Sequence, residues 1–333
     1  MQTQNEAPHV RLATMSRWYV VSRAIHAIAS LGIANCMTET PVSVKEIAAK
    51  SGTDPELLGR LMQFLSSYGL FEYQTPDAYA LTELSKPLRD DDPHSVRDVL
   101  RMVDDNWWDA FSMLDQSIKN GKSAFEHKHG EEFFTFLSNH AEKQANFDRG
   151  MAKLSTYDDE PIAKCYNFGR FQSLADMGGG RGGMAKAIHK HYPELSITVF
   201  DTPSVIDQLS NSDFPSEIQL QAGDFFAEIP MVDAYLYKGV LHDFNDEMMK
   251  TILTNCYQRM PQSSTLLIAE QVMPVNDLPH PNKTMDIVMM VLLDGRQRSL
   301  AEWQQCIEPA GFEFMNSYPT SSVFTLMEFR RKS

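Results

Sequence analysis

The sequence has little cysteine. Its four, Cys36, Cys165, Cys256 and Cys306, lie far apart with no C-x-x-C pair, which excludes a disulfide frame and a paired-thiol zinc site and leaves buried, reduced thiols as the expectation. Long apolar runs are missing too: none of the 333 residues' stretches approaches the roughly 20 consecutive apolar residues of a membrane span. Positive charge is scarce. With 30 Lys and Arg against 44 Asp and Glu, the formal net charge is -14, which argues against a nucleic-acid partner, because binding one depends on neutralising phosphates. Metal-ligand clusters are thin. His127 and His129 beside Glu131 and Glu132, and the pair His189 and His191, have no convincing partners elsewhere, so no metal is expected. Met1–Glu6 lacks the basic and apolar regions of a signal peptide, from which a cytoplasmic location is expected. A hydrophobic content of 43% is enough for the cores of two ordinary domains. Small-molecule chemistry is the function class left standing.

What is present is a glycine-rich stretch, Asp176-Met177-Gly178-Gly179-Gly180-Arg181-Gly182-Gly183, between a short apolar run and a helix-like pattern. Gly178, Gly180 and Gly183 satisfy G-x-G-x-x-G, which permits a tight strand-to-helix turn and close approach of a ligand to bare backbone. After the helix-like segment a second strand ends in an acid, Ile197-Thr198-Val199-Phe200-Asp201, placed to accept both hydroxyls of an adenosine ribose.

Before this stretch the chain reads as helical. Apolar residues from about Arg11 to Ala34, including Trp18, Val21, Ile25, Ile28 and Leu31, give one amphipathic helix closed by Gly32. Ser43 with Glu46 is a capping-box pattern, Asp54-Pro55-Glu56 opens the next helix, and Leu70–Tyr73 and Ala78–Leu81 flank a Pro76-Asp77 turn. That is the layout of a winged helix. Its second helix sets Arg60 against Asp54 and Glu56, without the basic face a DNA reader needs, so packing or dimerisation is expected. Further helices are expected around Val96–Met113, Glu131–Ser138 and Glu142–Leu154. The domain boundary is placed at 154, giving a helical module over 1–154 and a second domain over 155–333.

From Ser173 onward β-type runs alternate with helical patterns, the signature of a parallel sheet covered by helices. The runs are Ser173–Met177, Ser196–Phe200, Ile218–Gln221, Ala234–Lys238 and Thr265–Glu270. Two more, Phe312–Ser317 and Val323–Phe329, are joined by a link too short for a helical crossover and must be antiparallel neighbours. A Rossmann-like α/β sheet ending in an antiparallel hairpin is the shape expected of an S-adenosylmethionine-dependent methyltransferase.

Here the residues resemble a known family, the two-domain, plant-type O-methyltransferases and their bacterial and fungal relatives. The resemblance rests on Ala175–Gly182, Phe200–Ile206, Ala222–Phe226, Lys238–Glu247, Leu267–Glu270, Arg296–Ser299 and Ala310–Phe312, in the family's order over the C-terminal half. It implies S-adenosylmethionine as cofactor, a small hydroxylated aromatic or polyketide-like acceptor, no nucleic acid or membrane partner, and a homodimer interlocked through the N-terminal helices. The cofactor site it implies comprises Asp176, Gly178, Gly180, Asp201, Thr202, Asp224, Phe225 and Lys238. NAD would use the same glycine fingerprint and Asp201, but Asp224 followed by Phe225 fits an adenine better. His242, just past the fourth strand, is the expected general base, since an imidazole with its ordinary pKa near 6.5 can deprotonate a hydroxyl at neutral pH. Two acids flank this histidine in the family. Glu270 matches one, and the other position falls on Gln297, which carries no charge. That departure leaves open a reading in which fold and cofactor serve a pericyclic, decarboxylating or hydroxylating step. The acceptor wall is expected to include Phe147, Met151, Asp243 and Met289, the thioethers and ring giving an adaptable apolar slot.

Overall fold

The apolar spacing that begins at Arg11 folds as two helices, Pro8–Met15 and Trp18–Leu31, rather than one. The break falls at Ser16, whose hydroxyl donates to the Ala13 carbonyl at 2.8 Å and so competes with the helical ladder. This computed structural model describes residues 7–75, 77–209, 213–293 and 295–332; Met1–Glu6 and Pro76 of the expected turn lie outside them. Ser43 closes its capping box on Glu46 at the head of the helix Val44–Ser51, and Asp54 caps Pro55–Ser66. A small antiparallel sheet follows, with strands β1 (Val42–Ser43), β2 (Phe71–Thr75) and β3 (Ala78–Leu81) in the order β1-β3-β2. Two expected strands thus become three. Ile28, Ile47, Leu58, Met62, Leu65 and Tyr79 form the core beneath them.

The chain divides into two compact units, neither contiguous: 1–104 with 142–153, and 105–141 with 154–333. The sequence expects a single break at 154. The differences are the segment 105–141, which belongs with the second unit, and a helix, Ala141–Cys165, that runs 11 residues past the expected Leu154 with Pro161 inside it.

The second unit is built on seven strands: β4 (Ser173–Met177), β5 (Ser196–Asp201), β6 (Ile218–Ala222), β7 (Ala234–Lys238), β8 (Thr265–Glu270), β9 (Phe312–Pro319) and β10 (Thr325–Arg331). Their order is β6-β5-β4-β7-β8-β10-β9. β4 to β8 are parallel, and β10 runs antiparallel to both β8 and β9, as the short final link requires. Side chains alternate between two cores with the period of two that a pleated strand imposes. Ala175, Met177, Tyr235, Tyr237, Leu266 and Ile268 enter one core, and Leu174, Ala234, Leu236, Leu267 and Ala269 the other. Both faces are therefore covered, as a parallel sheet demands. The strand order reverses between β4 and β7, and the carboxyl ends of the parallel strands β4 to β8 carry, or lead into, the acids and the histidine singled out in the sequence. That edge is where an open α/β sheet binds its ligands.

Candidate active site

β4 delivers the chain into a turn that only glycine could make. Gly178, Gly180 and Gly182 have φ of 71°, 54° and 71°, left-handed values that a side chain would strain. At Gly180 a Cβ would enter open space, so the backbone there is not packed against protein. Its N–H donates to Asp201 Oδ2 at 2.8 Å, and Thr202 N–H donates to Asp201 Oδ1 at 2.7 Å. Asp201, at the end of β5, therefore locks the glycine turn to the neighbouring strand end. One strand further out, Asp224 Oδ1 accepts from Phe226 N–H at 2.8 Å. The Phe225 carbonyl accepts from Asn255 Nδ2, also at 2.8 Å, which fastens this turn to the helix Asp246–Arg259. Phe225 is half-buried and meets Phe244 edge-on with ring centroids 6.0 Å apart.

Beneath the glycine turn lies a buried charge cluster that the sequence reading only half identified. Asp176 is 2% exposed, and its Oδ2 has no hydrogen-bond partner among the described residues. Its carboxyl is pushed up to about 7, first by burial and then by the nearby Asp159 carboxylate, with Lys238 opposing. Lys238 Nζ donates to Asp159 Oδ1 at 2.6 Å in a pair that is buried on both sides. Burial also raises the carboxyls of Asp158 and Asp159, again against the pull of Lys238. Asp158 and Asp159 were missed. The signal was an acid pair one step before Ile162 and Ala163, two fully buried residues of the same helix.

His242 sits in a single helical turn, Leu241–Asp243, directly after β7. Glu270, fully buried at the end of β8, organises that turn. Its Oε1 accepts from the backbone N–H groups of Val240, Leu241 and His242 at 3.2, 2.9 and 3.3 Å. Its Oε2 holds His242 Nδ1 at 2.6 Å, and His242 Nε2 lies 3.2 Å from Asp243 Oδ1. Burial of the ring lowers its basicity, yet the two carboxylates outweigh that burial and raise the imidazole well above 6.5. The ordinary histidine pKa expected from the sequence is thus corrected upward.

Gln297 is the second flank the sequence expects, and Asp243 is the carboxylate that lies against Nε2. Gln297 is 2% exposed, and its side-chain amide has no partner among the described residues, while its backbone N–H donates to Asp286 Oδ1 at 2.8 Å. Met289 is buried on the helix Pro281–Leu292. Phe147 and Met151 belong to the first unit, whereas His242, Asp243, Glu270, Met289 and all the expected cofactor residues belong to the second. Among the described residues no group of three or more His, Cys, Asp or Glu side chains could hold a metal ion, and no helix is long and apolar enough to cross a membrane.

The fit to an adenosyl cofactor can be judged from the protein alone. Uncovered backbone at Gly180 that allows close approach, a carboxylate at the end of β5, an aromatic ring after β6 to pack on a base and an unsatisfied buried carboxyl oxygen are features that such a group needs. The residues present fit it.

Residues 111–313 match the O-methyltransferase domain family, and residues 13–90 match the O-methyltransferase dimerisation domain. The phenazine O-methyltransferase PhzM of Lysobacter antibioticus is 30% identical, over 99% of this chain and 99% of that protein. The 8-amino-8-demethylriboflavin N,N-dimethyltransferase of Streptomyces davaonensis is 28% identical, over 93% and 91%. Among solved structures, NcsB1, an O-methyltransferase from neocarzinostatin biosynthesis in complex with S-adenosylmethionine and 2-hydroxy-5-methyl naphthoic acid, aligns with a TM-score of 0.81. It is 27% identical and covers 93% of this chain and 96% of its own.

Proposed function

The chain belongs to the O-methyltransferase family, and within it we propose that the acceptor is a hydroxyl on a flat, aromatic small metabolite and that His242 is the general base. Its cofactor is S-adenosylmethionine, which when bound supplies a methyl group made electrophilic by the sulfonium. The glycine turn at Gly178 and Gly180, Asp201 with Thr202, and Asp224 with Phe225 would hold it, with Asp176 and Lys238 in the charged floor. The acceptor class draws on the relatives, whose names specify a phenazine, a demethylriboflavin and a naphthoic acid.

One observation carries the assignment of the base: Glu270 fixes Nδ1 at 2.6 Å, which commits Nε2 to the other side of the ring. Asp243 is the partner there, at a looser 3.2 Å, and an acceptor hydroxyl can replace it. The hydroxyl proton then passes to Nε2. The imidazolium so formed keeps the Glu270 carboxylate on Nδ1, and the part of the raised basicity of His242 that comes from Glu270 is the free-energy signature of that stabilisation. Met289 supplies an apolar contact on the acceptor side. We also propose that the protein works as a homodimer through its dimerisation domain.

Incubation with methyl-labelled cofactor and a panel of phenols, hydroxyphenazines and matched aromatic amines tests the acceptor. Label is expected on oxygen. Transfer to the amines alone, or to no member of the panel, would overturn the hydroxyl assignment.

A further inference from the structure

We propose that Gly295 and the buried Arg298 form a brace that sets the position of His242, a positioning role that rests on the reading of His242 as the base. Both lie between the helices Pro281–Leu292 and Leu300–Ile307. At Gly295 the reason for glycine is room. A Cβ there would overlap the carbonyl oxygen of His242 and stand 3.1 Å from the Cα and the carbonyl carbon of Asp243. Those are backbone atoms, which cannot swing aside as a side chain can. The next residue uses the closeness that glycine permits, because Arg296 N–H donates to the same His242 carbonyl at 3.0 Å.

Arg298 secures the far end of the catalytic turn. Its side chain is fully buried, and Nη2 donates to Asp246 Oδ1 at 2.5 Å and to the Phe244 carbonyl at 3.4 Å. Nη1 donates back to the Arg296 carbonyl at 3.2 Å, and the guanidinium lies 5.0 Å from the buried Trp303 ring. The segment is itself anchored, since the Arg298 carbonyl accepts from Met273 N–H at 2.9 Å. Residues 242, 244 and 246 are thereby held from one side, while Glu270 holds 240–242 from the other. An arginine taken fully out of water to grip one carboxylate and two carbonyls fixes geometry more than it adds stability, because burying its charge offsets much of the attraction. Misplacing a reacting group by about 1 Å can cost about 100-fold in rate, so the brace matters where the base must meet a hydroxyl.

The test is Gly295→Ala in the full-length protein with its histidines labelled at the ring nitrogens. The charged groups facing the His242 ring are Glu270 and Asp243, with Arg296, Arg298 and Asp246 in the brace. Gly295→Ala is expected to move the ring-nitrogen signals and titration of His242 while the other nine of the ten histidines stay in place. S-adenosylmethionine affinity by calorimetry should hold within about twofold. Turnover on whichever panel acceptor is methylated should fall by about 10- to 100-fold with KM changed less than about threefold. Asp246→Asn, at a residue whose side chain is 59% exposed, guards against a misfolded alanine variant and should show the same signature at about 3- to 10-fold. An unchanged His242 signal and unchanged turnover in either folded variant would overturn the brace. Were His242→Ala to keep full turnover while Gly295→Ala still moved the His242 signals, the base would be misassigned and the brace would stand.

Discussion

At the scale of single residues the site turns on which proton His242 holds, and when. Two carboxylates around a buried ring raise its pKa above 6.5, and on the proposal that His242 is the base this sets the direction of the pH dependence. In that proposal the active form is the neutral imidazole. kcat/KM should therefore rise with pH through an apparent pKa above 6.5, and Asp243→Asn, which removes one of the raising charges, should slide that limb to lower pH. His242→Ala should abolish the limb and lower turnover by about 10²–10⁴-fold, the usual worth of a general base, with cofactor affinity nearly intact. Measuring kcat/KM from pH 6 to 9.5 for the three proteins decides the matter. An unshifted limb near 6.5, or a His242→Ala profile that keeps its rise, would assign the titration to another group. His242 and Glu270 were both legible in the sequence because each stands at a strand end beside a recognisable block. Asp243's hold on the ring was not, since no spacing rule separates a carboxylate that caps a helix from one that turns back on its neighbour.

At the scale of elements the helix Ala141–Cys165 and strand β7 are joined by Lys238 and Asp159, a buried ion pair. Removing one member of such a pair strands the other, at about 3–5 kcal/mol. Lys238→Met should destabilise the protein by about that much at pH 8, where Asp158, Asp159 and Asp176 would face one another uncompensated. The pH dependence has a definite sign. Asp176 is raised to about 7 in the folded protein from the ordinary 3.8, so the folded state holds the extra proton and stability falls as pH rises through that window. The penalty of Lys238→Met should accordingly shrink on acidification from pH 8 toward pH 5, and adding Asp159→Asn should restore part of the loss. Urea melts at the two pH values check this; a penalty that is flat with pH would mean the cluster is not charged as described. The strands of the seven-stranded sheet were readable to within about two residues, because alternation across two cores leaves few choices. The helices were less so. Ser16 splits a continuous apolar pattern with one hydroxyl, and Pro161, a residue that normally marks a helix end, sits inside a helix that continues to Cys165.

At the scale of the whole molecule the sequence suggested one cut at 154, whereas the compact units interleave, with 105–141 in one and 142–153 in the other. Contiguity is a property of the sequence and grouping a property of packing, and amphipathic helices look alike whichever core they serve. What the first unit leaves uncovered is more informative. Leu12, Trp18 and Tyr19 are 69%, 49% and 66% exposed, and Val10, Met15 and Val20 beside them in sequence are exposed as well. An open cavity of about 430 Å³ is lined by Trp18, Val21, Ile25, Tyr68 and Leu100. Exposed apolar side chains in such number on two successive helices point to an interaction site, and residues 13–90 match a dimerisation domain, so the occupant we expect is a second copy. A closed two-fold dimer would present the same patch twice, which makes each substitution count double. Light scattering at micromolar concentration should return twice the chain mass of 37.8 kDa. The melting temperature should rise with protein concentration, as mass action requires of a subunit stabilised by its partner. Leu12→Glu with Tyr19→Glu, both at exposed positions where a lone subunit loses little, should shift the mass to one chain and erase that concentration dependence. A wild-type mass of a single chain would mean these aromatic side chains face water in the working protein and that the apolar patch serves another partner.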